Sequence, residues 1–161
     1  MDVSMRRILC ATDFSPPAQQ AQNYACALAD KFWAELHVLH VVGEPLPLPG
    51  PKGSWLLPAA ILPNLIQKAE LELAANTEAI RLTTGSRAVC TVKVGHPVEQ
   101  VLKYVKDNEI DLIVVGTQGH TGLSRLLLGS VAEKIVRLAT GPVLTVHPQD
   151  HSFLMDASAE S

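Results

Sequence analysis

Gly116, Gly119 and Gly129 punctuate one segment, and Ser130 follows the last of them. The segment joins the apolar run Leu112-Ile113-Val114-Val115 to a helical stripe that starts at Ser130. Glycine admits positive φ and lets a ligand approach the backbone with no Cβ in the way. Ser130 and Glu133, in the pattern S-x-x-E before apolar periodicity, read as a capping box that sets a helix N-terminus. Such a terminus offers unsatisfied N–H groups and partial positive charge. One exposed charge gains only about 0.3–1 kcal/mol there. A phosphorylated ligand therefore needs several donors together, and a turn of N–H groups plus the Ser130 hydroxyl supplies them. The chemistry on offer is the holding of phosphate.

Other chemistries are poorly supported. The loop lacks G-x-x-x-x-G-K-[ST], with no lysine before Ser130, and it is not G-x-G-x-x-G. On spacing alone, the glycines also suit a strand end and a helix start that bind nothing. His37 and His40 are three apart on a strand pattern, so they point to opposite faces and do not share a metal. His147 and His151 straddle a proline near the chain end. No nucleophile motif supports a Ser-His-Asp or Cys-His arrangement. Trp33 and Trp55 are too isolated for a base-stacking platform.

The elements that must position these residues follow from periodicity. Ile8 to Ala11 is a short apolar run ending near Asp13, as expected of a strand buried on both faces. Ser15-Pro16 reads as N-cap and first helical position, with Ala21, Ala25, Leu28 and Phe32 as the stripe. Leu36 to Val42 is a second strand. Glu44 to Pro63 holds six prolines and two glycines, a density that breaks helix and strand, so its first part to about Pro58 reads as a surface loop or flap. A helix resumes by Leu62 and ends near Gly85. Val89 to Val94 is a third strand, and Pro97 opens a helix with Val98, Val101, Leu102 and Val105 inward. Leu112 to Val115 is the fourth strand, ended by Gly116. Ser130 to Ala139 is helical, and Val143 to His147 is the last strand. Alternating strands and helices predict an α/β fold, a mostly parallel sheet covered on both faces. In such sheets, ligands bind outside the carboxyl ends of strands where the order reverses.

Composition sets the bounds. The chain has 161 residues, 47% apolar and 18% charged, with a formal net charge of −3. That length fits one domain, taken here as residues 1–148 with a flexible tail at 149–161, and buries about two-thirds of its unfolded surface without staples. The negative balance argues against nucleic acid or a membrane surface as partner. Cys10, Cys26 and Cys90 form no C-x-x-C pair and read as reduced core thiols of a cytoplasmic protein. No targeting or membrane-spanning segment is expected.

Gly116-x2-Gly119-x9-Gly129-Ser130 resembles the ATP-binding signature of the universal stress protein family. Ile8-Leu9-Cys10-Ala11-Thr12-Asp13-Phe14-Ser15 resembles its opening strand, and Asp111 to Gly116, Leu127 to Lys134 and Pro142-Val143-Leu144 resemble the flanks. The likeness spans about residues 5 to 148. It implies a three-layer, Rossmann-like open parallel sheet of five strands in the order 3-2-1-4-5, usually in a homodimer. The apolar last strand, Val143 to His147, would be the edge that pairs. It further implies that Ala11 and Thr12 line an adenosine, with Asp13 near ribose and phosphates and beside any Mg²⁺ that the phosphates carry. Asp13 also reads as a helix-entry residue supporting Ser15. Val41 would offer backbone groups to adenine, its side chain tolerating change. Gly116, Gly119, Gly129, Ser130, Val131 and Ala132 would hold ribose and phosphates. His120 and Arg125 add positive charge in one reading and are solvated loop residues in another. The resemblance implies ATP, or ADP or AMP, bound in a regulatory or stress-response role. A slow ATPase or nucleotidyl transferase and a dimeric scaffold without nucleotide are the alternatives.

Overall fold

The computed structural model describes residues 4–44, 48–49, 51, 55–56, 61–84, 88–117 and 128–147. Strand β1 (Arg7–Thr12) leads into helix α1 (Pro16–Phe32), then β2 (Glu35–Val42) and the two-residue strands β3 (Leu48–Pro49) and β4 (Trp55–Leu56). Helix α2 (Leu62–Thr84), β5 (Ala88–Val94), α3 (Pro97–Asp107), β6 (Leu112–Gly116), α4 (Ser130–Leu138) and β7 (Val143–Val146) follow.

The five long strands form one parallel sheet in the order β5-β2-β1-β6-β7, the expected 3-2-1-4-5. Central strand β1 sets the register: Leu9 lies between His37 of β2 and Ile113 of β6. Alternation divides the core between the faces. Ile8, Cys10, Leu36, Val38 and Val114 pack with Ala21, Ala25, Leu73 and Ile80 on the α1 and α2 side. Leu9, Leu39, Ile113 and Val115 pack with Val98, Val101, Ala132 and Ile135 on the α3 and α4 side. Each fully buried Ile or Leu contributes about 1.5–3 kcal/mol as an upper range. Two-sided burial is why the strands are continuous apolar runs.

Local signals fix the helix ends. Ser15 caps α1, its hydroxyl oxygen accepting from the Ala18 N–H at 3.4 Å, and prolines follow at the first positions. The helix stops at Trp33, which takes a left-handed φ of 56° and is 94% exposed. At the amino end of the sheet, the Asp111 carboxylate accepts the N–H groups of Arg6 at 2.7 Å and Arg7 at 3.0 Å. The Arg6 N–H, with that of Arg7, holds the Asp111 carboxyl below the usual range.

Some expectations change. Within the proline-rich segment expected as a surface loop or flap, β3 and β4 pair antiparallel, Pro49 opposite Trp55. A two-residue ribbon outside the main sheet tolerates proline as an edge strand does. The last strand ends at Val146, one residue before the expected His147. Residues 149–161 lie outside the described residues. Cys10, Cys26 and Cys90 are free. Burial pushes the Cys26 thiol up to about 11 and that of Cys10 higher still. Among the described residues, no helix is long and apolar enough to cross a membrane.

Candidate functional site

The strand order reverses between β1 and β6. From β1 the chain moves outward to β2 and β5, then returns to β6 on the other side. Thr12 and Asp13 follow one strand end, and Gly116 and Thr117 the other. A cleft of about 300 Å³ opens there, at the lower end of the ~300–1,000 Å³ usual for ligand sites. Ala11, Thr12, Asp13, Val41, Gly116, Gly129, Ser130, Val131 and Ala132 all line it. Nine positions singled out in the sequence are thus brought together. Gly119, His120 and Arg125 lie outside the described residues.

The turn after β1 is tightly specified. Phe14 takes a left-handed φ of 63°, and its N–H donates to the Thr12 hydroxyl oxygen at 3.0 Å. Asp13 Oδ1 accepts the Ser15 N–H at 3.0 Å and also the Ser15 hydroxyl. Asp13 therefore supports the helix entry while lining the cleft, so its two readings describe the same residue. His40 holds the turn from both sides. Its Nδ1–H donates to the Thr12 carbonyl at 2.8 Å, and its ring stacks on Phe14 with centroids 4.4 Å apart.

The start of α4 corrects the capping-box reading. Gly129 is the N-cap, no side chain caps the helix, and Ser130 is the first helical residue. Glu133 instead reaches Arg137 at 3.0 Å, one turn on. The helix begins at Ser130, as its apolar periodicity predicts, and the Gly129 N–H before it donates to the Thr117 carbonyl at 2.5 Å. Its first intrahelical bond runs from the Glu133 N–H to the Gly129 carbonyl at 2.9 Å. The N–H groups of Ser130, Val131 and Ala132 precede that bond, the geometry in which a helix end accepts an anion. All three residues line the cleft.

Leu39, Pro97, Val101, Val115 and Ile135 add apolar lining to the same cleft. Apolar lining together with backbone donors suits a flat, weakly polar ring joined to an anionic group. Val41 stands at the rim, where β1 has ended opposite His40 and only the pairing to Lys93 continues. Its side chain packs with the α3–α4 core, so it is less indifferent to change than expected.

Four contributors were not legible as such in the sequence. His40 was weighed only as a metal ligand; it lines the cleft, while His37 bonds Tyr104 from the other sheet face. Among the described residues no group of three His, Cys, Asp or Glu side chains is placed to hold a metal. Pro97 and Val101 form cleft wall where only a core stripe was read. Thr117, 1% exposed, ties three segments together. Only a proline after a strand end hinted at the wall, and nothing marked Thr117.

Comparison with known proteins agrees with this geometry. The sequence model of the Universal stress protein family matches residues 5–147. A universal stress protein of Methanocaldococcus jannaschii is 34% identical over 143 residues, covering 88% of this chain and 81% of the relative. The solved universal stress protein UspA from Lactobacillus plantarum superposes with a TM-score of 0.77 at 25% identity, covering 90% of this chain and 99% of that one. Two further structures share the fold. A universal stress protein in complex with cAMP has a TM-score of 0.69 at 22% identity, covering 91% and 99% of the two chains. The one from Archaeoglobus fulgidus in complex with dAMP has a TM-score of 0.61 at 20% identity, covering 90% and 99%.

Proposed function

We propose, for a chain that belongs to the universal stress protein family, that the cleft between β1, β6 and α4 binds an adenine nucleotide, ATP in the first place, as a regulatory ligand. One observation carries the reading. The start of α4, with Gly129, Ser130 and Val131, and the strand end bearing Asp13 converge on one cleft that Leu39, Val101, Val115 and Ile135 line with apolar surface. Adenine fits the apolar wall beside Val41, ribose the strand ends at Ala11 and Thr12, and phosphates the N–H groups of α4. That two proteins of this fold hold cAMP and dAMP supports the same ligand class.

Mg²⁺ belongs to this reading only as a companion of the phosphates. Asp13 is the one carboxylate lining the cleft among the described residues. Mg²⁺ commonly uses one or two carboxylates plus phosphate oxygens, so the donor set fits an ion that arrives with the nucleotide. We read the role as binding rather than turnover. Phosphoryl transfer needs positioned cations on the γ-phosphate and an oriented nucleophile. No lysine or arginine is among the described residues lining the cleft. ADP and AMP would occupy the same slot. A cytoplasmic stress-response role and a homodimer joined across the outer edge of β7 complete the proposal; β7 ends the sheet, where an unpaired edge favours a second strand.

The test is the ligand that travels with the protein. Purification without added nucleotide, followed by denaturation and mass spectrometry, should release an adenine nucleotide at close to one per chain. Together with calorimetry, it decides the matter: no released nucleotide and no heat on titrating millimolar ATP with Mg²⁺ would sink the reading.

A further inference from the structure

The start of α4 is aimed at the cleft, but it hangs from the far side of the sheet. Thr117 is the first residue after β6. Its N–H donates to the Val146 carbonyl at 3.0 Å, extending the β6–β7 pairing one step beyond Gly116 and Val146. Its hydroxyl donates to the same carbonyl at 3.3 Å and lies 3.0 Å from His147 Nδ1. Its own carbonyl accepts the Gly129 N–H at 2.5 Å. One residue thus meets the end of β7 through its N–H and hydroxyl, and the N-cap of α4 through its carbonyl. The residue is 1% exposed, so water does not compete for these bonds.

We propose that Thr117 is the positioning residue of the phosphate end of the cleft. Its hydroxyl pins the residue to β7, and its own carbonyl then holds the Gly129 N–H just ahead of the donors of Ser130 and Val131. Thr117 is not among the residues that line the cleft. Its effect passes through the Gly129 N–H. A chain returning after twelve residues, from Thr117 to Gly129, has no covalent reason to re-enter at one angle. Phosphate recognition by backbone N–H groups depends on that placement, because a hydrogen bond weakens steeply as its angle bends and a misplacement of about 1 Å is costly. Threonine suits the position twice: it has the hydroxyl donor, and its β-branching restricts χ1.

This inference rests on the nucleotide reading, and the experiment separates the two. Wild type, Thr117→Val and Thr117→Ser are titrated with ATP and Mg²⁺ by calorimetry, and melted without ligand. Valine keeps the shape and loses the hydroxyl; serine keeps the hydroxyl. T117V is expected to bind about tenfold more weakly, the scale of one net hydrogen bond, with T117S within about twofold of wild type. Equal affinity of T117V and wild type overturns the proposal, as does equal weakening in both variants. If wild type itself binds no nucleotide, the functional reading fails instead. Amide hydrogen exchange in the ligand-free wild type decides the tether in that case and in the case that T117V does not fold. A protected Gly129 N–H supports it, and an unprotected one overturns it.

Discussion

A Cβ placed on Gly116 would lie 2.9 Å from the carbonyl carbon and carbonyl oxygen of Pro17. The end of β6 is therefore pressed against the first turn of α1, backbone to backbone, and neither side has a flexible atom to move. Gly116→Ala should destabilise the fold by about 1–3 kcal/mol, the usual cost of overpacking a close contact. Urea unfolding followed by circular dichroism measures it. An alanine variant as stable as wild type would mean that the two elements part without cost.

That contact shows where sequence reading succeeds and where it stops. The strand ends at Asp13 and Gly116 were legible because apolar runs in a two-sided sheet end where burial ends. The partner of Gly116 was not, because a glycine advertises the absence of a side chain without saying what presses on it. It was assigned to ligand approach, and the structure adds α1. The start of α4 at Ser130 was legible as well, but its cap was not: S-x-x-E is a local pattern, whereas Gly129 takes the N-cap and its N–H is held by the Thr117 carbonyl, a contact between segments. His40 shared this fate: its bonds to Thr12 and Phe14 join two strands twenty-eight positions apart, beyond any local periodicity.

Gly129 stands in contrast to Gly116. Its φ of −57° is open to any residue, so backbone conformation does not require glycine there; the room it leaves faces the cleft. With ATP and Mg²⁺ at one hundred times Kd, wild type should gain about 2.7 kcal/mol, which for a domain of this size raises Tm by roughly 5–10 °C. Gly129→Val should lose that gain, because a branched side chain enters the phosphate path. Its Tm without ligand is the control, since valine is also a poor N-cap. A full ATP shift in the valine variant would show that phosphate does not pass Gly129.

Acid should weaken the amino end of the sheet. The N–H groups of Arg6 and Arg7 lower the Asp111 carboxyl relative to the unfolded chain. A lowered folded-state pKa gives stability that is present above the ordinary carboxylate value, about 3.9, and is lost as pH falls through the folded value. Asp111→Asn should therefore be less stable than wild type at pH 7 and converge on it as the pH falls through the folded value. Because the carboxylate is mostly solvent-exposed, the effect should be modest. Parallel stability curves for the two proteins from pH 7 to pH 3 would refute the assignment.

His37 and His40 should carry their protons on opposite nitrogens. His40 Nδ1 faces the Thr12 carbonyl at 2.8 Å, and a carbonyl only accepts, so the neutral ring must be the Nδ1–H tautomer. His37 Nε2 faces the Glu35 carboxylate at 2.7 Å, which also only accepts, so that ring must be the Nε2–H tautomer. Its Nδ1 then accepts from the Tyr104 hydroxyl at 2.9 Å. Two histidines three residues apart on one strand are thus assigned by what each sheet face offers. Long-range proton–nitrogen correlation spectra, recorded where both rings are neutral, distinguish the tautomers directly. Finding His40 as Nε2–H would break the bond to Thr12, and with it the account of how the turn bearing Asp13 is held. His40→Phe should keep the stacking on Phe14 while losing that bond, and so bind nucleotide more weakly than wild type, with the deficit in affinity exceeding any loss of Tm.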